Sequence, residues 1–245
     1  MNSWSVIVPV KPWALSKSRL DLPQRVRQSL ARAFCADVIS TLAQSPNVGC
    51  VVVVSESPHP DLPGRSGVEF VREPPPGGGG LNAAVRYAVR HLQATRADSP
   101  VLVMPADLPC ATPGDLTTSL HRCRALLNEH PRLFARDAAG DGTTLVACAH
   151  PSLLDPRYGP MSAADHHTAG YVPISDLPAG LTRDVDTVDD LVEAWYLGVQ
   201  PHTYAAITGF SGVGDPLCDW PATTGKETRE NQRSSSRGNR LFTPV

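Results

Sequence analysis

Short runs rich in valine and isoleucine alternate with amphipathic stretches through most of the chain, and this alternation limits the fold more than any other feature. The runs "SVIVPV", "GCVVVVS", "VEFVRE" and "VLVMPADLP" are bounded by Pro, Gly, Ser or Asp, as buried strands of a parallel sheet are. Between them Val26, Leu30, Phe34, Val38 and Leu42 recur every four residues, and Leu81, Ala84, Val85, Ala88, Val89 and Leu92 keep a helical period. The order strand, helix, strand, strand, helix, strand predicts an α/β fold with a mostly parallel central sheet and helices on both faces. A third helix is expected from Thr112 as N-cap and Pro113 at the first helical position, burying Leu116, Leu120, Cys123 and Leu127. "RLFARD", "TTLVACA" and "VPISDLP" read as further strands, and "DTVDDLVEAW" as a last helix with Val188, Leu191, Val192 and Trp195 on one face. The folded domain is therefore expected over residues 1–198, with an extension over 199–245. Disorder is expected from about residue 221, because "TGKETRENQRSSSRGNR" offers too little apolar surface to offset chain entropy.

A chain of 245 residues is long enough for one large α/β domain. It contains no apolar run of about 18 residues and no signal-like start, so a cytoplasmic protein without a membrane partner is expected. Six cysteines show no CxxC or Cys/His ligand spacing and fall mostly in apolar segments, which reads as a set of reduced core residues. A formal charge of −2 gives no pull toward nucleic acid. The tail over residues 221–245 is basic but lacks interleaved aromatics, and so reads as a solvated tail and not a nucleic-acid arm.

Lys11, Lys17 and Arg19 follow the first apolar strand directly, where α/β proteins bind ligands; a solvated basic turn is the plainer alternative. In "EPPPGGGGLNAAV" consecutive glycines allow close backbone approach, and the helix that follows offers unpaired N–H groups. The stretch is neither a Walker loop nor a GxGxxG fingerprint, and a flexible turn fits it equally well. Asp107 lies just past an apolar strand. A hard cation is held by one or two carboxylates plus substrate phosphates, so Asp107 is a candidate ligand, against the alternative of a turn residue. Asp184 and Asp186 alternate along an extended stretch, and Asp186 either caps the last helix or meets Asp107 across the sheet edge. Asp189 and Asp190 fall in the first helical turn, where they favour the dipole. Thr143, Thr144 and Ser162 offer small hydrogen-bond donors for an anion, with His166 one turn beyond Ser162. His167 diverges from His166 on a helix and reads as solvated. Basic residues with separated carboxylates describe phosphoryl or nucleotidyl transfer.

Taken in order, "VPVKPWALSKSRL", "GGLNAAV", "ADLP", "DGTTL", "YGPMSAADH" and "DVDTVDDL" resemble the phosphoenolpyruvate or 2-phospho-L-lactate guanylyltransferases of coenzyme F-420 biosynthesis, over residues 6–191. The resemblance implies a Rossmann-like nucleotidyltransferase domain of the nucleotide-diphospho-sugar transferase type. It also implies Mg²⁺ as cofactor, GTP as donor, a phosphorylated three-carbon acid as acceptor and pyrophosphate as leaving group. By the same resemblance Lys11, Lys17 and Arg19 replace a glycine-rich loop and neutralise the triphosphate, and Asp107, Asp186 and Asp184 hold Mg²⁺. Gly80, Leu81 and Asn82 would lie along the nucleotide, and Thr144, Gly159, Ser162 and His166 on the acceptor side. Gly142, Thr143 and Thr144 stand where many relatives have Gly-Thr-Asn, which points to the phosphoenolpyruvate branch. The acid usually found before Gly-Leu-Asn is missing among residues 74–79. Hand-off of a labile product to the next pathway enzyme is expected. The alternatives are a nucleotidyltransferase for molybdenum cofactor or 3-phosphoglycerate, a sugar-nucleotide glycosyltransferase, and a non-catalytic GTP-binding module.

Overall fold

Residues 3–56, 66–72 and 80–210 are described by a computed structural model. Their strands are β1 (Trp4–Pro9), β2 (Val48–Ser55), β3 (Val68–Arg72), β4 (Val101–Val103), β5 (Arg132–Arg136), β6 (Thr143–Cys148) and β7 (Val172–Pro173). They form one seven-stranded sheet in the order β3-β2-β1-β4-β6-β5-β7. Strand β1 pairs in parallel with β2 on one side and with β4 on the other. The chain thus runs outward from β1 to β3 and returns to the far side of β1, leaving a switch point between β1 and β4 where open α/β sheets bind ligands. Strand β6 is reversed, antiparallel to both β4 and β5. Its starting residues Thr143 and Thr144 therefore lie at the same edge as the carboxyl ends of β1 and β4.

The helices are α1 (Gln24–Gln44), α2 (Gly80–Thr95), α3 (Pro113–Leu126), α4 (Ser162–Thr168), α5 (Val188–Leu197) and α6 (Pro201–Phe210). Alternate residues of the central strands feed two cores. Val6, Val8, Val51 and Val53 pack with Val38 and Leu42 of α1 and Leu116 and Leu120 of α3. Ile7, Val52 and Val54 face Val85, Ala88 and Leu92 of α2. Burial on both faces explains why these strands read as unbroken apolar runs, each large side chain contributing roughly 1.5–3 kcal/mol. Helix α3 starts as expected, with Thr112 Oγ1 accepting from the Asp115 N–H at 3.1 Å. Cys35, Cys50, Cys110, Cys123 and Cys148 are free and buried. Burial pushes the Cys35, Cys110, Cys123 and Cys148 thiols up to about 12, so none of the four is a ready nucleophile. Cys218 lies outside the described residues. Among the described residues no helix is long and apolar enough to cross a membrane.

The expected end of the folded body at Gly198 falls one helix short. Ile207 of α6 is buried with Leu30 and Phe34 of α1 and Leu191 of α5. Asp37, buried in α1, accepts from the backbone N–H groups of His202 and Thr203 at 2.9 and 2.8 Å and so satisfies the start of α6 from outside it. The tail expected to be disordered from about residue 221, and residues 73–79 of the Pro/Gly stretch, lie outside the described residues. Asp37→Ala removes both of these backbone bonds to a charged group together with the contact to His202 Nδ1 at 2.9 Å, and a loss of roughly 2–4 kcal/mol is expected in urea unfolding. New proteolytic cleavage in α6 should accompany it. A normal midpoint with no cleavage there would show that the carboxylate does not hold this helix.

Candidate active site

The segments following β1 and β4 meet the segment preceding α5 at the carboxyl edge of the sheet. Val185 N–H donates to the Asp107 carbonyl at 3.2 Å, which sets the stretch bearing Asp184 and Asp186 beside Asp107. Gly180 lets the chain pass close to the same segment, since a Cβ there would lie 2.4 Å from the Cys110 carbonyl oxygen. Thr187 caps α5, and Asp190 returns the bond; its Oδ2 also accepts from the Asp186 N–H at 3.1 Å. Asp190, expected to serve only the helix dipole, thus holds the backbone of Asp186.

The outcome is a cluster of carboxylate oxygens from Asp107, Asp184 and Asp186, all within 4.8 Å of one another. Lys17 reaches into it, with Nζ donating to Asp107 Oδ2 at 2.6 Å and to Asp186 Oδ1 at 3.0 Å. Its backbone is left-handed, φ 55°, a conformation that costs a non-glycine residue on the order of 1–2 kcal/mol and is held here by that double anchor. Burial works against the Lys17 ammonium, but Asp107 and then Asp186 outweigh it and hold its pKa above the ordinary value. Burial, followed by repulsion from Asp107 and Asp186, pushes the Asp184 carboxyl up to about 7. Burial also acts to raise Asp186, yet Lys17, Arg19 and Lys11 outweigh it and hold that carboxyl below its usual range. Asp107 Oδ1 is buried with no partner, a free ligand position beside two further carboxylates, and the oxygen-only donor set suits a hard divalent cation.

Two clefts meet at this cluster. One, of about 290 Å³, runs under the β1 loop and is lined by Val10, Trp13, Ser16, Lys17 and Ala106. The other, of about 470 Å³, lies over the start of β6 and is lined by Thr143, Thr144, Gly159, Met161, Ser162 and Asp184. Lys11, Arg19, Leu81, Asp107 and Asp186 border both. Lys11 has no carboxylate partner among the described residues. Arg19 is mostly exposed and lies 3.4 Å from Asp186. The Thr144 hydroxyl is buried and unpartnered in the larger cleft. Asp137 was missed in the sequence: its carboxylate accepts from the Gly140 and Gly142 N–H groups and shapes the turn that delivers Thr143 and Thr144. The signal was an Asx-turn pattern, Asp followed by two nearby glycines.

Three expected site residues line neither cleft. His166 is fully buried, accepting from the Arg157 N–H through Nε2 at 3.1 Å while Nδ1 lies 2.8 Å from the Ser162 carbonyl. It supports the cleft wall. Both ends of the Asn82 amide bond the backbone of Tyr158, so the amide is not turned to a cleft. Gly80 opens α2 with φ 70° and lines neither cleft. His167 is exposed, as expected.

The arrangement around His166 needs a neutral ring, and burial first of all holds its pKa below 6.5. Below that value the unfolded chain takes up a proton that the folded protein resists, so stability is lost as pH falls. The His166 contribution to unfolding free energy should decline from pH 7 to pH 5, against the opposite contribution of Asp184, whose raised carboxyl pKa favours the folded protein as pH falls. His166→Phe, less stable at pH 7, should lack the His166 part of the slope. Parallel pH profiles would show that His166 does not titrate with folding.

Carboxylates, a lysine and a two-part cleft at the switch point of this sheet are the equipment of a nucleotidyltransferase. The MobA-like NTP transferase domain matches residues 25–169. The chain is 43% identical over 213 residues to a phosphoenolpyruvate guanylyltransferase of Streptomyces scabiei (strain 87.22), covering 83% of this chain and 95% of that protein. It is 38% identical over 204 residues to one of Salinispora arenicola (strain CNS-205), covering 82% and 91%. The chain belongs to the phosphoenolpyruvate guanylyltransferase family. Solved structures of the same fold include a protein assigned as a nucleotide-diphospho-sugar transferase from Desulfovibrio desulfuricans G20, with TM-score 0.61 and 18% identity, covering 85% and 95%. A 4-diphosphocytidyl-2C-methyl-D-erythritol synthase has TM-score 0.54 and 15% identity, covering 80% and 99%.

Proposed function

We propose that this enzyme transfers GMP from GTP to phosphoenolpyruvate, releasing pyrophosphate, as a cytoplasmic step of coenzyme F-420 biosynthesis. The observation that carries the reading is the junction of two clefts at Asp107, Asp184, Asp186 and Lys17. The names of the curated relatives supply the acceptor.

The smaller cleft would take the GTP phosphates, with Lys11, Lys17 and Arg19 neutralising them and Leu81 beside the nucleoside. The larger would take the acid, with Thr144, Gly159 and Ser162 around its phosphate and carboxylate. A phosphate oxygen of the acceptor attacks the α-phosphorus of GTP. A new phosphoanhydride bond forms, the bond to the β-phosphate breaks, and pyrophosphate leaves with the electron pair. No protein nucleophile is needed, and positioning with charge neutralisation supplies the catalysis. Asp107, Asp186 and Asp184 would hold Mg²⁺, which when bound supplies Lewis-acid polarisation of the phosphates. The product joins a phosphoanhydride to an enol ester, and its lability favours direct hand-off to the next enzyme.

The test is pyrophosphate release from GTP and Mg²⁺ with phosphoenolpyruvate, 2-phospho-L-lactate or 3-phosphoglycerate offered separately, repeated with ATP and CTP. Release with phosphoenolpyruvate and GTP alone is expected. Release with another acid would replace the acceptor. Tight GTP binding with no release would overturn the reaction.

A further inference from the structure

We infer that Asn82 is a positioning residue for the acceptor side of the site, clamping the loop that walls the larger cleft. The inference rests on the reading of the two clefts as donor and acceptor. Asn82 Nδ2 donates to the Tyr158 carbonyl at 2.8 Å, and Asn82 Oδ1 accepts from the Tyr158 N–H at 2.8 Å. Tyr158 offers one donor and one acceptor, so the orientation of the amide follows from its partner. The side chain bonds a backbone 76 residues away as a neighbouring strand would.

The loop is tied at every step leading to the cleft. Arg86, one turn along α2 from Asn82, approaches the Pro156 carbonyl at 3.5 Å and the Asp155 carboxylate at 3.6 Å. The Tyr171 hydroxyl accepts from the Asp155 N–H at 2.8 Å and donates to the Asp155 carbonyl at 3.0 Å. His166 takes the Arg157 N–H. Tyr158 is the last residue held in this way, and the next four, Gly159 to Ser162, line the larger cleft. Met161 there has φ 60°, a left-handed backbone that depends on such restraint.

Helix α2 thereby serves both clefts from adjacent residues. Leu81 borders the two of them, while Asn82 grips the acceptor loop. An aspartate at this position offers two acceptors and sets a charge against the Tyr158 carbonyl, so it does not replace the amide. A leucine has a similar shape and loses both bonds.

The experiment compares wild type with Asn82→Ala, Asn82→Leu and Asn82→Asp in three readouts. The KM for the acceptor acid should rise about tenfold or more in all three, the size expected for two neutral hydrogen bonds. The Kd for GTP, measured by equilibrium dialysis without acceptor, should change less than twofold. Amide hydrogen exchange at residues 158–162 should accelerate. Weakened GTP binding with an unchanged acceptor KM would overturn the inference and put Asn82 on the nucleotide. A lowered Tm with both constants unchanged would overturn it in favour of a purely structural bond. If the Asn82 variants do not fold, Arg86→Ala loosens the same loop from an exposed position: a raised acceptor KM with normal GTP binding supports the clamp, and wild-type constants refute it. Should wild type turn over none of the acids, the proposed reaction fails. Exchange at 158–162 together with GTP affinity then still decides the clamp.

Discussion

Asp107→Asn should lower kcat/KM by roughly a thousandfold or more while leaving the protein folded. Asp107 is the residue on which the site converges: one oxygen bonds Lys17 at 2.6 Å, and the other is buried without a partner. The amide keeps the shape but removes the charge that anchors Lys17 and balances a cation. The carboxylate contributes little to the fold, because its neighbours include two further acids. Asp184 stands at about 7 partly through repulsion from Asp107, so removing that charge relieves strain as well as breaking a bond. A Tm within about 4 °C of wild type is expected, corresponding to roughly 1 kcal/mol or less in a chain of this size. Pyrophosphate release and thermal unfolding on the same samples make the measurement. Near-normal turnover in a folded variant would remove Asp107 from the chemistry.

Lys17→Met should act in two opposite directions. Transfer should fall by roughly a hundredfold or more, since a cation close to the phosphates is lost. Divalent-cation binding without nucleotide should become at least about tenfold tighter. The Lys17 ammonium lies 2.6 and 3.0 Å from the two carboxylates that a metal would share, and it competes for them as an internal counter-ion. At an effective dielectric constant of 20, a unit charge about 4 Å away is worth about 4 kcal/mol, ample for a factor of ten. Methionine is of similar length and carries no charge, so the change isolates electrostatics from packing. Titration with Mn²⁺ followed by paramagnetic resonance reads the affinity directly. Equal or weaker binding in the variant would show that lysine and metal do not contend for the same oxygens.

The parallel half of the fold was legible because its strands are buried on both faces, which leaves unbroken valine runs that only a covered sheet accommodates. The start of α3 was legible for a different reason: Thr112 and Pro113 are local signals whose geometry depends on no distant residue. Strand β6 was recognised as a strand, but its reversed direction was not readable, since an apolar run buried on both faces looks the same in either sense. Helix α6 was missed because its ten residues include Pro, Thr and Gly and bury only Thr203 and Ile207, while its anchor, Asp37, lies 165 residues earlier. Asp107 could be found because an acid just beyond an apolar strand is conspicuous, and Asp184 and Asp186 because they alternate along an extended stretch before the last helix expected from the sequence. The partner of Asn82 could not, because nothing in Tyr158 as a sequence letter announces that its backbone will be gripped from α2. Lys17 was placed in the site for its charge, but its seat between Asp107 and Asp186 depends on contacts across 90 and 169 residues.

The reversal of β6 has a consequence for how the two sides of the site are held. On the proposed reading, donor-side residues sit where strands finish, in segments that lead on into helices of the core. Thr143 and Thr144 instead sit where a strand begins, just after a surface turn built by Asp137, Gly140 and Gly142. That turn joins two neighbouring antiparallel strands and carries no helix; it is tied to the rest of the site by the Ala138 N–H on the Thr182 carbonyl at 2.8 Å and by the Ala163 N–H on the Asp141 carbonyl at 3.0 Å. On the same reading, one strand laid backwards sets the receiving side of the site on a hairpin, while the giving side rests on strand-to-helix connections.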